Sequence, residues 1–121
     1  MNFSFNNQTP IYIQIMEVIQ TDIISGKYTL GQKLPSVREF AVQFDANPNT
    51  IQKALFELEW VGLIVTERTN GKFVTSDQNV IKKVRGTKVA KIIEDFFSSM
   101  EKIGINKEQT LQIINDNKEI L

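Results

Sequence analysis

Between Asn47 and Ala54 the chain reads Asn-Pro-Asn-Thr-Ile-Gln-Lys-Ala. Asn47 is a good helix N-cap and Pro48 a good first helical residue. On the helix they open, Asn49, Thr50, Gln52 and Lys53 alternate with the apolar set Ile51, Ala54, Leu55 and Leu58. Asn and Gln amides pair bidentately with adenine, and Lys meets guanine or a phosphate. The positive end of the helix dipole adds to the attraction for anions. These residue types suit base-pair edges and a phosphate backbone. A second cation, Arg38, follows Pro35-Ser36, and two more, Arg68 and Lys72, flank Thr69-Asn70-Gly71. Each also has a plainer reading. Asn47 serves as a cap, Arg38 and Lys53 as solvated charges, and Asn70-Gly71 as turn chemistry.

Catalytic chemistry is poorly supplied. The chain has no His and no Cys. That removes the usual general base, the commonest metal ligand, thiolate zinc sites and disulfides. Glu57, Glu59 and Glu67 are the nearest approach to an acid pair, and no glycine-rich phosphate loop accompanies them. No catalytic residue, metal site or cofactor is expected, and a binder is favoured over an enzyme.

The elements that must hold the polar set follow from pattern. Residues 1–9 are polar, Asn-rich and aperiodic, and read as a loose arm. Pro10 opens a first helix whose apolar face is Ile11, Ile15, Val18, Ile19 and Ile23, and Gly26 stops it. Lys33-Leu34 is a short extended piece. Ser36-Val37-Arg38-Glu39 fits a capping box, and Phe40, Ala41 and Phe44 form the buried side of a short second helix. Asp45 to Pro48 breaks the pattern. The third helix runs from Pro48 to about Val61 and ends at Gly62. Ile64 to Arg68 and Lys72 to Thr75 read as two strands joined at Asn70-Gly71, a strong hairpin signal. Ser76 to Asn79 is linker-like. A long helix is expected from Val80 to Ile103, with Gly86 a candidate break, and Asn106 opens a last helix bearing Leu111, Ile113, Ile114, Ile120 and Leu121.

Composition sets bounds on this reading. The 121 residues are 41% hydrophobic and 23% charged, a globular balance with room for one core and an appendage. Lys+Arg and Asp+Glu are both 14, so net charge gives no hint of nucleic acid. Residues 1–76 carry six basic and seven acidic groups, yet Arg38, Lys53, Arg68 and Lys72 fall in segments able to share one face. No apolar run is long enough to span a membrane and the first basic residue is Lys27. A cytoplasmic protein is expected.

Two short helices, a tight turn between them and a hairpin after them make a winged helix-turn-helix. A helix fits the DNA major groove and enters by its N-terminal residues. Leu34-Pro35-Ser36-Val37-Arg38-Glu39-Phe40-Ala41 resembles the core motif of GntR-family bacterial transcription regulators. Pro10-Ile11-Tyr12-Ile13-Gln14-Ile15 matches that family's opening. Asn47 to Ala54 is similar to the reader helix of its short YtrA-type subfamily, and Gly62-Leu63-Ile64 and Gly71-Lys72-Phe73-Val74 continue the register. The resemblance implies a winged-helix domain that acts as a dimer on a two-fold operator. It also implies DNA contacts at Arg38, Asn49, Thr50, Gln52, Lys53, Arg68, Gly71 and Lys72. Many relatives carry Arg where this chain has Pro48 and Gln52, and Gly-x-Gly in the wing, so weaker phosphate binding and a different base preference are implied.

The fold class is mainly α with a small β-hairpin (α+β). A winged helix-turn-helix over 1–76 precedes a helical dimerisation segment over 77–121. In that segment Phe96 and Phe97 are adjacent and cannot share a narrow stripe, so a second copy is expected to cover Val89, Ile92, Ile93, Phe96, Phe97, Met100, Leu111 and Ile114. Phe56 and Trp60 point away from the core face and are expected to pack on the C-terminal helices or on a partner. Phe96, Phe97, Met100 and Trp60 are read as packing residues rather than the lining of an effector pocket. The partners expected are double-stranded DNA, a second copy and an unidentified small-molecule effector, with no membrane. The reading is a repressor on an inverted repeat, with control of a transporter operon implied by the resemblance. The competing reading is a winged-helix protein-interaction module without DNA binding.

Overall fold

Pro10 is the N-cap of α1 (Ile11–Ile24) in the computed structural model, which describes residues 3–116. Ile15, Ile19 and Ile23 recur every fourth residue and are fully buried. Gly26, at φ +90°, turns the chain out of the helix. The arm before α1 is pinned rather than loose. The Gln14 side chain donates to the Thr9 carbonyl at 2.7 Å and the Asn6 carbonyl at 3.0 Å, and accepts from the Asn6 N–H at 3.1 Å. The Phe3 ring lies 4.5 Å from that of Phe44.

The second helix, α2 (Val37–Phe44), starts at the expected capping box. Ser36 Oγ accepts from the Glu39 N–H at 3.1 Å, and Glu39 Oε1 accepts from the Ser36 N–H at 2.9 Å. Phe40 and Phe44 enter the core. The helix ends at Asp45, a non-glycine residue at φ +51°. There the Ala46 N–H donates to Ala41 O and the Asp45 N–H to Val42 O, and these paired bonds close the tight turn. Asn47 caps α3 (Pro48–Trp60) by accepting from the Asn49 N–H at 2.8 Å. Ile51, Ala54, Leu55 and Leu58 are buried beneath it, as expected.

The hairpin pairs β1 (Ile64–Glu67) with β2 (Gly71–Val74), in register Ile64↔Val74 through Glu67↔Gly71. On the other side of β2, Lys33 bridges Phe73, and the Leu34 N–H donates to Lys72 O at 2.8 Å. The short extended piece is thus zipped to the wing's root.

The long helix, α4 (Gln78–Lys102), corrects two expectations. Gln78 and Asn79 are helical rather than linker, because Asp77 accepts from the Asn79 N–H at 2.9 Å and caps the helix earlier. Gly86 does not break it, since its cost of about 1 kcal/mol is small beside the bonding of a long helix. The chain divides into two compact units, one ending at Val84 and the other beginning at Arg85. Ile81 is buried in the first unit, and Val80 and Val84 pack partly on its core. This unit therefore reaches beyond residue 76.

In the second unit, Gly104 at φ +89° ends α4, with the Ile105 N–H bonded to Met100 O. Asn106 and Gln109 cap α5 (Lys107–Asp116) reciprocally at 2.8 and 2.9 Å. Val89, Ile92, Ile93, Phe96, Leu111 and Ile114 are exposed on the single chain. Phe97 and Met100 are half-buried. Ile120 and Leu121, read as part of the last helix, lie outside the described residues. No helix among the described residues is long and apolar enough to cross a membrane.

Candidate nucleic-acid interface

The site starts from two helix N-termini. The Ser36 box fixes where α2 begins and so places Arg38 on its first turn, exposed. Among the described residues no hydrogen bond or ion pair holds the Arg38 guanidinium. The box also sets the charge of its acid. The Ser36 N–H, then the Ser36 hydroxyl, and more weakly the nearby Lys33 charge hold the Glu39 carboxyl below its ordinary range. Glu39 is therefore ionised at neutral pH, at the positive end of α2.

The Asn47 cap and Pro48 fix the first turn of α3. Successive residues advance about 100° around a helix, so Asn49, Lys53, Phe56 and Trp60 form an outward line opposite the buried set, with Gln52 on its shoulder. Asn49, Gln52 and Lys53 are exposed and Thr50 is half-buried. The lower half of this line is apolar. Phe56 is 61% exposed and Trp60 79% exposed, so Trp60 is not the packing residue of one chain that its type suggests.

The wing presents Arg68, Thr69 and Asn70 at its tip. Asn70 Nδ2 donates to Glu67 Oε2 at 3.2 Å and the Asn70 N–H donates to Glu67 O, so Asn70 works as turn chemistry. Gly71 needs its freedom, at φ +105°. Arg68 is exposed at the tip. Lys72 differs from the other cations. Its Nζ lies 3.2 Å from Glu59 Oε2 and donates to Thr66 Oγ1 at 2.8 Å, while that hydroxyl donates to Glu59 at 2.9 Å. Lys72 thus ties the wing to the second half of α3.

Five of the eight expected residues, Asn49, Thr50, Gln52, Lys53 and Lys72, line two hollows beside α3, and Arg38 borders neither. One is lined by Val37, Gln52, Phe56, Glu59 and Lys72, and joins α2, α3 and the wing. The other is lined by Ile11, Tyr12, Asn49, Thr50 and Lys53, at the N-termini of α1 and α3. A groove between α2 and the wing carries Lys33, Glu39, Arg68 and Gly71. Sequence reading missed Tyr12, Lys33 and Glu59 as parts of this surface. Lys33 was traceable through its extended piece, whereas the Glu59–Lys72 pair joins residues far apart in the chain. Among the described residues no group of three or more His, Cys, Asp or Glu is placed to hold a metal ion.

Comparison with known proteins agrees with this geometry. Residues 11–74 match the family model for bacterial regulatory proteins of the gntR family. The HTH-type transcriptional regulator YhcF of Bacillus subtilis is 34% identical over 112 residues, 93% of each chain. A GntR family transcriptional regulator from Listeria monocytogenes superposes with a TM-score of 0.84 at 40% identity, covering 94% of this chain and 100% of that one. The DNA-binding domain of AraR in complex with its operator ORR3 superposes with a TM-score of 0.55 at 33% identity, over 60% of this chain and 88% of that one. The capped α2 and α3, the wing behind them and this match across most of the chain lead to one assignment: the chain belongs to the gntR family of bacterial regulatory proteins and is a DNA-binding transcriptional regulator of the winged-helix type.

Proposed function

We propose that the chain is a repressor that binds an inverted-repeat operator as a homodimer, with α3 in the major groove. The observation that carries this is the exposed set Asn49, Gln52 and Lys53 on the first turns of α3, together with an exposed Arg38 on α2 that has no partner among the described residues. Gln52 and Asn49 read base edges, Lys53 and Arg38 meet phosphates, and Arg68 at the wing tip reaches a neighbouring strand. Thr50 lines the hollow beside Lys53, Gly71 lines the groove between α2 and the wing, and Lys72 acts by holding the wing.

Dimerisation belongs to the second unit. Its open side chains, Val89, Ile92, Ile93, Phe96, Leu111 and Ile114, together with half-buried Phe97 and Met100, are more apolar surface than a helix pair leaves to water. A second copy covering them sets two reader helices about one DNA turn apart, ~34 Å. Cytoplasmic control of a transporter operon, with a small-molecule signal shifting the half-site spacing, rests on the resemblance to short YtrA-type regulators.

Selection of random duplex DNA by the purified protein at moderate salt tests the reading. The expected result is enrichment of an inverted repeat. A folded, dimeric protein that enriches nothing would overturn it and favour a protein-interaction module.

A further inference from the structure

The α3 helix contains one cation, Lys53, against two carboxylates, Glu57 and Glu59. Whatever attraction α3 side chains exert on a phosphate therefore depends on where one flexible ammonium is held. Lys53 Nζ lies 4.1 Å from the centroid of the Tyr12 ring, at the second residue of α1. That is well inside the range of a cation–π contact, in which the negative face of the ring attracts the ammonium. Tyr12 is half-buried, with its ring packed partly on the core, so it is a fixed support rather than a second mobile side chain. Lys53 is exposed, and both residues border the hollow that Asn49 and Thr50 also line.

We propose that Tyr12 is a positioning residue for DNA binding. Its ring holds the Lys53 ammonium beside the first turn of α3, so that the one cation of the reader helix arrives already oriented toward the phosphate backbone. A free lysine loses rotamer freedom when it meets a phosphate, and a lysine already docked on a ring loses less. The aromatic face supplies this, and the phenolic hydroxyl is not needed. Tyr12 touches no base in this assignment and acts through Lys53, and the proposal rests on the DNA-reading role of α3.

The test has two independent arms. In the DNA-free protein, NMR of the Lys53 ε-methylene protons should show an upfield ring-current shift that Tyr12→Phe keeps and Tyr12→Leu abolishes. Ordinary random-coil shifts in the unsubstituted chain would overturn the contact whatever the protein does with DNA. In the second arm, fluorescence anisotropy with a labelled duplex of random sequence at low salt measures affinity in a double-mutant cycle. Tyr12→Leu should weaken binding about two- to five-fold, the size of an exposed cation–π contact. Tyr12→Phe should bind like the unsubstituted protein. In a Lys53→Met background Tyr12→Leu should cost nothing further. An equal loss in both backgrounds would overturn the proposal and make Tyr12 a packing residue. Loss with Tyr12→Phe would overturn it in favour of a direct hydroxyl contact. Failure of the unsubstituted protein to bind any duplex would instead overturn the reading of α3, with the NMR arm still deciding the contact.

Discussion

At Arg38 an exposed guanidinium sits on the first turn of a capped helix with no internal partner among the described residues. Arg38→Ala should weaken binding to all duplexes alike and lower the slope of log affinity against log salt by about 0.9, the share of one phosphate. Gln52→Ala should behave differently, altering preference among selected sequences more than overall affinity. Titrating both variants against the enriched and scrambled duplexes separates the two roles. Ser36 and Glu39 act on stability. Ser36→Ala should cost about 1 kcal/mol in urea melts, the usual worth of an N-cap. The Glu39 carboxyl has a lowered pKa in the fold, so its contribution is present above the ordinary carboxylate range and lost as pH falls through the lowered value. The stability gap between the unsubstituted protein and Glu39→Gln should therefore be open at neutral pH and close in acid. A gap that widens on acidification would contradict this.

Gly86 lies inside α4 with helical backbone, and nothing stands within 4 Å of where a Cβ would sit. Gly86→Ala should raise stability by about 0.5–1 kcal/mol, seen as a higher thermal midpoint. The elements with local signals were legible in the sequence. Ser36-x-x-Glu39, Asn47-Pro48, the closing Gly62 and Gly104, and the alternation of Ile15, Ile19 and Ile23 each mark a boundary or a face within a few residues. What escaped depends on side chains without period. Gln14 gathers the arm by donating side-chain hydrogen bonds to the Asn6 and Thr9 carbonyls, and a polar loop carries no pattern that reveals it. Asp77 starts α4 before two further polar residues, so the apolar rhythm begins late. The places of Arg38 and of Asn49 to Lys53 near two helix starts were readable because caps position them. The contacts of Tyr12 and Glu59 depend on partners distant in sequence.

For the whole molecule, the division at Val84 decides where the chain can be cut. A protein ending at Val84 should fold, sediment as a monomer and bind DNA much more weakly than the full chain. Ending at Thr75 removes Ile81, whose burial is worth about 1.5–3 kcal/mol, along with the support of Val80 and Val84. Denaturant melts should show that shorter protein markedly less stable. A dimer from the chain ending at Val84 would place association in the winged unit and contradict the assignment to Val89, Ile92 and their neighbours.

The poverty of positive charge on α3 has a consequence for the cell's economy of copies. Non-specific DNA binding comes almost wholly from phosphate neutralisation, and a genome offers millions of such decoy sites. If α3 reads DNA as proposed, a helix with one lysine and a wing whose Lys72 is already engaged by Glu59 should be held weakly by those decoys. Fewer molecules should then be stranded along the chromosome, so that a small pool of protein suffices to fill the proposed operator.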